Sequence, residues 1–381
     1  MTETSADREG PYVMWLGLRG LPGIQGGVET HAQHVLPRLA ENGCTVEAVV
    51  RSPYMRRSLT ATAWLGVRYV RLWAPRSRAL EAIVHTLLGV LVAAWRRPDV
   101  LHIQAIGPAL WTPLARLFGL HVVFTHHGPD YDRQKWGAFA RFTLRLGEWA
   151  GCRCANETIV ISRTIQSMVL NRHGRASTLI PNGVEPPSMP TSSEALSQFN
   201  LQPRRYVLIV SRLVPEKRHL DLIEAFVAAC LPDWKLVIVG AADHRDAYAE
   251  RVQAAAQRVQ SVVLTGFQSG PTLGELYAHA GLFVLPSSHE GLPIAMLEAL
   301  SYGLPVIASD IPANLEVGLA GAHYFKLGDV TALAGKLKDF AEREYDAHTA
   351  RATQDWVTSR FDWSEVASAT RAVYSKVLAR R

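Results

Sequence analysis

The sequence predicts an α/β protein built from two doubly wound parallel-sheet domains, and three observations carry that expectation. Short apolar runs of strand length alternate with stretches of helical periodicity, as buried parallel strands and their crossover helices do. The alternation stops once, at the Pro- and Ser-rich stretch "SMPTSSEALSQFNLQP", and then restarts. The 381 residues also exceed what one hydrophobic core usually organises.

In the first half, "YVMWLGL" leads to a helix predicted over 28–42, and "TVEAVVR" is a second strand. "DVLHIQAIG" leads to a helix over 109–118, "HVVFTHHG" to one over 137–150, and "TIVIS" to one over 163–173. The run "AIVHTLLGVLVAAW" at 82–95 is shorter than the roughly 20 residues that span a bilayer, and it contains His85, so it predicts a buried helix. After the connection, "RYVLIVSRL" precedes a helix over 219–230, "WKLVIVGA" one over 245–259, "VVLTGF" one over 271–280 and "GLFVLPS" one over 291–302; "PVIAS" precedes a shorter tail. The last segment, "DWSEVASATRAVYSKVLAR", has apolar residues at helical spacing and predicts a closing helix. Ligands of open α/β sheets bind outside the carboxyl ends of the strands, so two such domains predict a cleft there.

With 48% hydrophobic and 19% charged residues the chain reads as globular. "MTETSADREG" lacks the basic-then-apolar layout of a signal peptide, which predicts a cytoplasmic location. Cys44, Cys152, Cys154 and Cys230 fit neither a disulfide framework nor zinc spacing, and read as free thiols. The net charge of +6 is uneven: residues 1–185 carry 21 Lys and Arg against 13 Asp and Glu (+8), and residues 186–381 carry 19 against 21 (−2). Between 51 and 97, Arg51, Arg56, Arg57, Arg68, Arg71, Arg76, Arg78, Arg96 and Arg97 face the single acid Glu81. That segment is either a patch for an anionic partner or a solvated basic face.

The candidate site residues follow strands. In "GLRGLPGIQGGVETH", Gly26 and Gly27 stand at a helix start, where unpaired N–H groups and a close backbone approach suit a phosphate; a plain strand-to-helix turn is the equal alternative. The stretch is not a P-loop, and its glycines do not make the dinucleotide fingerprint. "SRLVPEKRH" supplies Arg212 and Lys217, two cations that can clamp a diphosphate. "SSHEGLPIAMLEAL" places Glu290 and Glu298 eight residues apart around a Gly-Leu-Pro turn, with the N–H groups of Leu292 and Ile294 close to a helix start near Pro293. Glu298 lies in an apolar stretch, where burial costs free energy unless compensated. "VVFTHHGPD" ends a strand with His126 and His127, for which metal binding is disfavoured because only Asp130 and Asp132 stand nearby.

Together these residues give the chain a resemblance to retaining GT-B glycosyltransferases of family 4 (group 1), and to the bacterial subgroup that builds surface polysaccharides. It is carried by "GGVETH", "THHG", "IPNGV", "SRLVPEKR", "EGLPIAMLEAL" with its Glu-x7-Glu spacing, "LYAHAGLFVLPS", "PVIASDIPANLEV" and "DRQKWG". The resemblance implies an acceptor-side Rossmann-like domain over 1–185, a linker over 186–203, a nucleotide-sugar domain over 204–360, and a helix over 361–381 returning to the first domain. It implies that Arg212 and Lys217 neutralise the donor diphosphate in place of a metal ion. Glu290 then holds sugar hydroxyls and Glu298 the ribose, with Gly26, Gly27, Asn182, Gly291, Leu292, Pro293 and Ile294 also at the donor. His127, rather than His126, aligns with the family histidine near the reacting centre. The implied enzyme is a hexosyl- or deoxyhexosyltransferase needing no cofactor or metal, acting on a saccharide or lipid-linked acceptor and lying against the inner face of the cell membrane. Arg56, Arg57, Arg76, Arg78 and Lys135 are the candidate acceptor and membrane contacts, and no nucleic-acid partner is expected. The rival readings are a nucleotide-sugar epimerase or sugar phosphorylase, a non-catalytic nucleotide-sugar binding protein, and a dehydrogenase, for which neither domain shows the glycine fingerprint.

Overall fold

The computed structural model describes residues 10–55, 62–75, 80–132, 137–242 and 247–380. The chain forms two compact units, Met1–Asn182 with Trp363–Arg381, and Gly183–Asp362. In the first unit the strands are β1 (Tyr12–Leu16), β2 (Thr45–Arg51), β3 (Ala63–Trp64), β4 (Val67–Leu72), β5 (Val100–Gln104), β6 (Val122–His126), β7 (Glu157–Val160) and β8 (Thr178–Leu179). They make one sheet in the order β3-β4-β2-β1-β5-β6-β7-β8, parallel except for the β3–β4 pair. The second unit holds β9 (Tyr206–Val210), β10 (Lys235–Val239), β11 (Val262–Gly266), β12 (Leu282–Leu285), β13 (Val306–Ser309) and β14 (Tyr324–Phe325), in the parallel order β11-β10-β9-β12-β13-β14.

Both sheets are wound outward from their first strand. β1 pairs with β2 on one side and β5 on the other, setting Trp15 beside Ala48 and His102. β9 is likewise flanked by β10 and β12. Where the winding reverses, the loops leaving neighbouring strands part in opposite directions and leave room for a ligand. β1 is buried along its whole length, which is why it reads as a continuous apolar run and not as an alternating one. In the second unit, Val207, Ile209, Leu236 and Ile238 of the sheet pack against Leu222 and Phe226 of the helix His219–Ala229.

The closing helix Trp363–Leu378 belongs to the first unit and packs on the helix Gly27–Glu41. Trp15 Nε1 donates to Tyr374 Oη (3.0 Å), which lies 2.7 Å from His102 Nδ1 and so ties that helix to the middle of the sheet. The stretch after "PVIAS" is more than a tail: it supplies β14 and the helices Val330–Ala341 and Ala347–Arg360, the former packed on His219–Ala229.

Two expectations need correction. The helix Glu81–Arg96 is buried on one side only: His85 and Val90 are enclosed, whereas Trp95 is 80% and Leu91 46% exposed, because its apolar residues surround more of the helix than one packing stripe can use. The basic segment is partly neutralised from within. Arg51 Nη1 lies 3.0 Å from Glu81 in a buried pair, and Arg96 Nη1 is 2.7 Å from Glu47, so neither is a bare surface cation. Arg56, Arg57, Arg76, Arg78 and Lys135 lie outside the described residues. Among the described residues no helix is long and apolar enough to cross a membrane.

Candidate active site

In the second unit the site is built on the loops after β9 and β12, adjacent strands where the winding reverses. Beyond Val210 the chain passes the partly buried Arg212 and makes a single 3₁₀ turn, Pro215–Lys217. Arg218, at φ 52°, then redirects it into the helix His219–Ala229. Ser211 Oγ lies 2.9 Å from the buried His219 Nε2, which anchors the base of this loop. The two loops are stitched together by the Ser288 N–H, which donates to the Glu216 carbonyl at 2.8 Å.

That stitch brings Lys217 Nζ to 2.5 Å from Glu290 Oε1, with side chains 18% and 11% exposed. Burial alone pushes the Glu290 carboxyl up, but the charge of Lys217 and its hydrogen bond outweigh it and hold Glu290 below its ordinary value. Glu290 is therefore a carboxylate at neutral pH: a hydrogen-bond acceptor, not an acid. After Gly291, the helix Ile294–Ser301 begins behind Pro293 with no side-chain cap, and the Met296 and Leu297 N–H groups donate to the Pro293 carbonyl. Glu298 lies in the second turn, where Tyr277 Oη donates to its Oε2 at 2.9 Å; Tyr277 is itself stacked on Tyr302, with ring centres 5.5 Å apart.

The first unit offers mainly neutral groups. Gly26, at φ 148°, caps the helix Gly27–Glu41, and any β-carbon there would run into the carboxylate of Glu29 and the guanidinium of Arg19. These two form an ion pair (3.0 Å) that clasps the glycine loop, and Arg19 also donates to the Gln25 carbonyl. Gly27 faces open space. One turn on, the buried His31 has its Nδ1 3.0 Å from Asn182 Oδ1 and meets the ring of His127 edge-on at 5.1 Å. His127 Nε2 lies 2.7 Å from Gln104 Oε1 at the end of β5. Burial, reinforced by the neighbouring histidines, pushes His127 well below the usual imidazole range, and burial takes His31 down to about 4. Both rings are neutral at physiological pH. With its Nε2–H donated to Gln104, His127 keeps Nδ1 as an acceptor. His126 turns the other way: its ring is buried, its Nδ1 accepts from the Gly128 N–H (3.1 Å), and its Nε2 lies 3.9 Å from Glu148.

The structure thus joins Lys217 directly to Glu290 and connects Asn182 to His127 through His31. Glu298 stands apart on the helix that follows Gly291, Leu292 and Pro293 and begins at Ile294. His31, Gln104 and Tyr277 were not singled out in the sequence. His31 sits four residues after Gly27, on the helical face that returns toward the loop, which is the signal that would have found it.

Comparison with known proteins gives two family-model matches: "Glycosyltransferase Family 4" over residues 25–187 and "Glycosyl transferases group 1" over residues 193–355, one for each unit. The chain belongs to the group 1, family 4 glycosyltransferases. This glycosyltransferase is 28% identical to a glycogen synthase of Mycobacterium tuberculosis over 299 residues, covering 74% of this chain and 69% of that one. It is 27% identical to the UDP-Gal:alpha-D-GlcNAc-diphosphoundecaprenol alpha-1,3-galactosyltransferase of Escherichia coli over 230 residues, 57% of this chain and 59% of the other. Among solved structures, sucrose-phosphate synthase from Thermosynechococcus elongatus superposes with a TM-score of 0.81 at 21% identity, covering 97% of this chain and 100% of the other, which shows the GT-B fold.

Proposed function

We propose that this glycosyltransferase moves a hexosyl or deoxyhexosyl group, with retention of anomeric configuration, from a nucleoside diphosphate sugar to a lipid-linked or saccharide acceptor in surface polysaccharide synthesis. The observation that carries the reading is the Lys217–Glu290 pair at the winding reversal of the second unit, with Arg212 on the same loop. An ammonium and a guanidinium there suit the diphosphate, and an ionised carboxylate suits sugar hydroxyls. The named donor and lipid-diphosphate acceptor of the E. coli relative support the substrate classes.

On this reading the bond between the anomeric carbon and the diphosphate oxygen breaks while the acceptor oxygen bonds to the same carbon from the same face. The acceptor proton passes to the departing phosphate oxygen. Negative charge grows on the leaving diphosphate, and Lys217 and Arg212 stabilise it where another fold would use a metal ion. Glu290 and the amides after Gly291 hold the transferred sugar, and Glu298, with one oxygen fixed by Tyr277, takes the ribose diol. Neutral His127 presents its carbonyl or Nδ1 to the reacting centre, beside Asn182, Gly26 and Gly27. The enzyme works in the cytoplasm, peripheral to the membrane.

Lys217→Ala tests the role of that pair. The expected result is a fall in kcat of about 10²–10³-fold with a much smaller change in donor KM. Equal losses in both would reduce Lys217 to a binding group. Incubation with donor alone separates transfer from epimerisation, since an epimerised donor appears only under the rival reading.

A further inference from the structure

Outside the site, the helix Ala138–Cys154 of the first unit carries a row of large apolar side chains turned to solvent: Phe139 (82% exposed), Phe142 (65%), Leu146 (41%) and Trp149 (48%). The spacing of three, four and three residues keeps them on one stripe. The opposite face holds the helix in place. Gly147 lies so close to the Ile106 carbonyl, and Gly151 so close to the Phe124 ring (2.8 Å to an added β-carbon), that neither position has room for a side chain. The helix therefore cannot roll to bury its outer row, and the described residues leave that row exposed.

The charge around the row selects the partner. Residues 133–154 carry five Lys and Arg and a single acid, Glu148. That acid is buried on the inner face, 2.8 Å from His173 Nε2, so it offsets nothing outside. Arg141, Arg145 and Arg153 are exposed on the same helix as the apolar row. The helix Thr112–Leu117, which packs against it, exposes Leu117 at 81%. A second copy would set like charges against each other. A bilayer with anionic headgroups accepts aromatic and aliphatic side chains at its interface and neutralises the arginines.

We infer that the outer face of the helix 138–154 docks on an anionic lipid surface. This goes beyond the expected membrane contact through the segment 51–97 and Lys135. Its purpose rests on the lipid-linked acceptor proposed above; its test does not. The full chain is sedimented with phosphatidylcholine vesicles with and without phosphatidylglycerol, in the absence of donor and acceptor. Wild type binds the anionic vesicles, less so at high salt. Phe139→Ser/Phe142→Ser weakens binding by about tenfold or more and Arg141→Glu by at least about fivefold, both with unchanged thermal unfolding, since these side chains already face water. Variants that bind like wild type, or wild type that ignores the anionic lipid, would overturn the inference. So would a wild-type dimer that Phe139→Ser/Phe142→Ser converts to monomer without loss of vesicle binding, because the row would then belong to a second copy. Transfer to a lipid-free acceptor analogue is measured in parallel and is unchanged in the variants; if wild type fails there but vesicle binding behaves as stated, the acceptor reading falls and the docking face stands.

Discussion

The two units place opposite kinds of polar group at the ends of their central strands. In the first, the polar side chains at the ends of β5 and β6 are Gln104 and histidine rings, joined by His31 from the adjoining helix, and burial keeps His31 and His127 uncharged; the nearby Arg19–Glu29 pair is consumed in clasping the glycine loop. In the second, the loops after β9 and β12 carry an ammonium and a carboxylate; the ammonium holds the carboxylate ionised, and both remain partly open to solvent. A shared sheet architecture thus supports two electrostatic regimes. Neutral donors and acceptors orient a substrate at little cost in solvation, whereas fixed charge answers charge that develops during reaction.

Breaking the charged side has the larger effect. Glu290→Gln keeps the shape but removes the charge that pairs with Lys217, and transfer drops by about 10²-fold while the unfolding temperature stays within a few degrees; an unchanged rate would mean that the charge of Glu290 has no part in transfer. On the neutral side, the two glycines separate a structural role from an open one. Gly26→Ala strains a φ of 148° and displaces the Arg19–Glu29 clasp, costing about 1–3 kcal/mol of stability in urea unfolding. Gly27→Ala enters open space and leaves stability within about 0.5 kcal/mol, so a rise in donor KM in that variant reports a ligand approaching there.

The neutral histidines also give stability a pH dependence that leaves activity at neutral pH untouched. His31 drops from 6.5 to about 4 on folding, so as pH falls below 6.5 the unfolded chain takes up a proton that the folded chain refuses. Stability from this group is constant above pH 6.5 and declines by about 3 kcal/mol toward pH 4. Urea titrations at several pH values show a shallower decline in His31→Asn; the same slope in wild type and variant would deny His31 the shift.

The alternation of central strands with helices was legible because those strands are buried along their whole length, which leaves each a nearly unbroken apolar run; β4, with an exposed arginine after each of its valines, was not. The residues Lys217 and Glu290 were legible too, since each follows such a run. Their contact was not, because it depends on the Ser288–Glu216 stitch between loops more than seventy residues apart, and no local pattern encodes that pairing. The histidine cluster was half visible: His127 directly follows a strand, but His31 looks like an ordinary helix residue until the fold returns Asn182 to it. The basic segment misled in part, because composition counts Arg51 and Arg96 without seeing Glu81 and Glu47 across from them.

On the proposed mechanism, Lys217 and Arg212 of the second unit answer the leaving diphosphate. A free nucleoside diphosphate carries the charge that the leaving group gains during transfer, so its binding reads that interaction most directly. In a thermal-shift panel of nucleosides, monophosphates and diphosphates, wild type is stabilised most by one diphosphate, whose base names the donor, and the increment of diphosphate over monophosphate shrinks in Lys217→Ala to what Arg212 alone supplies. The same increment in wild type and variant would contradict the account.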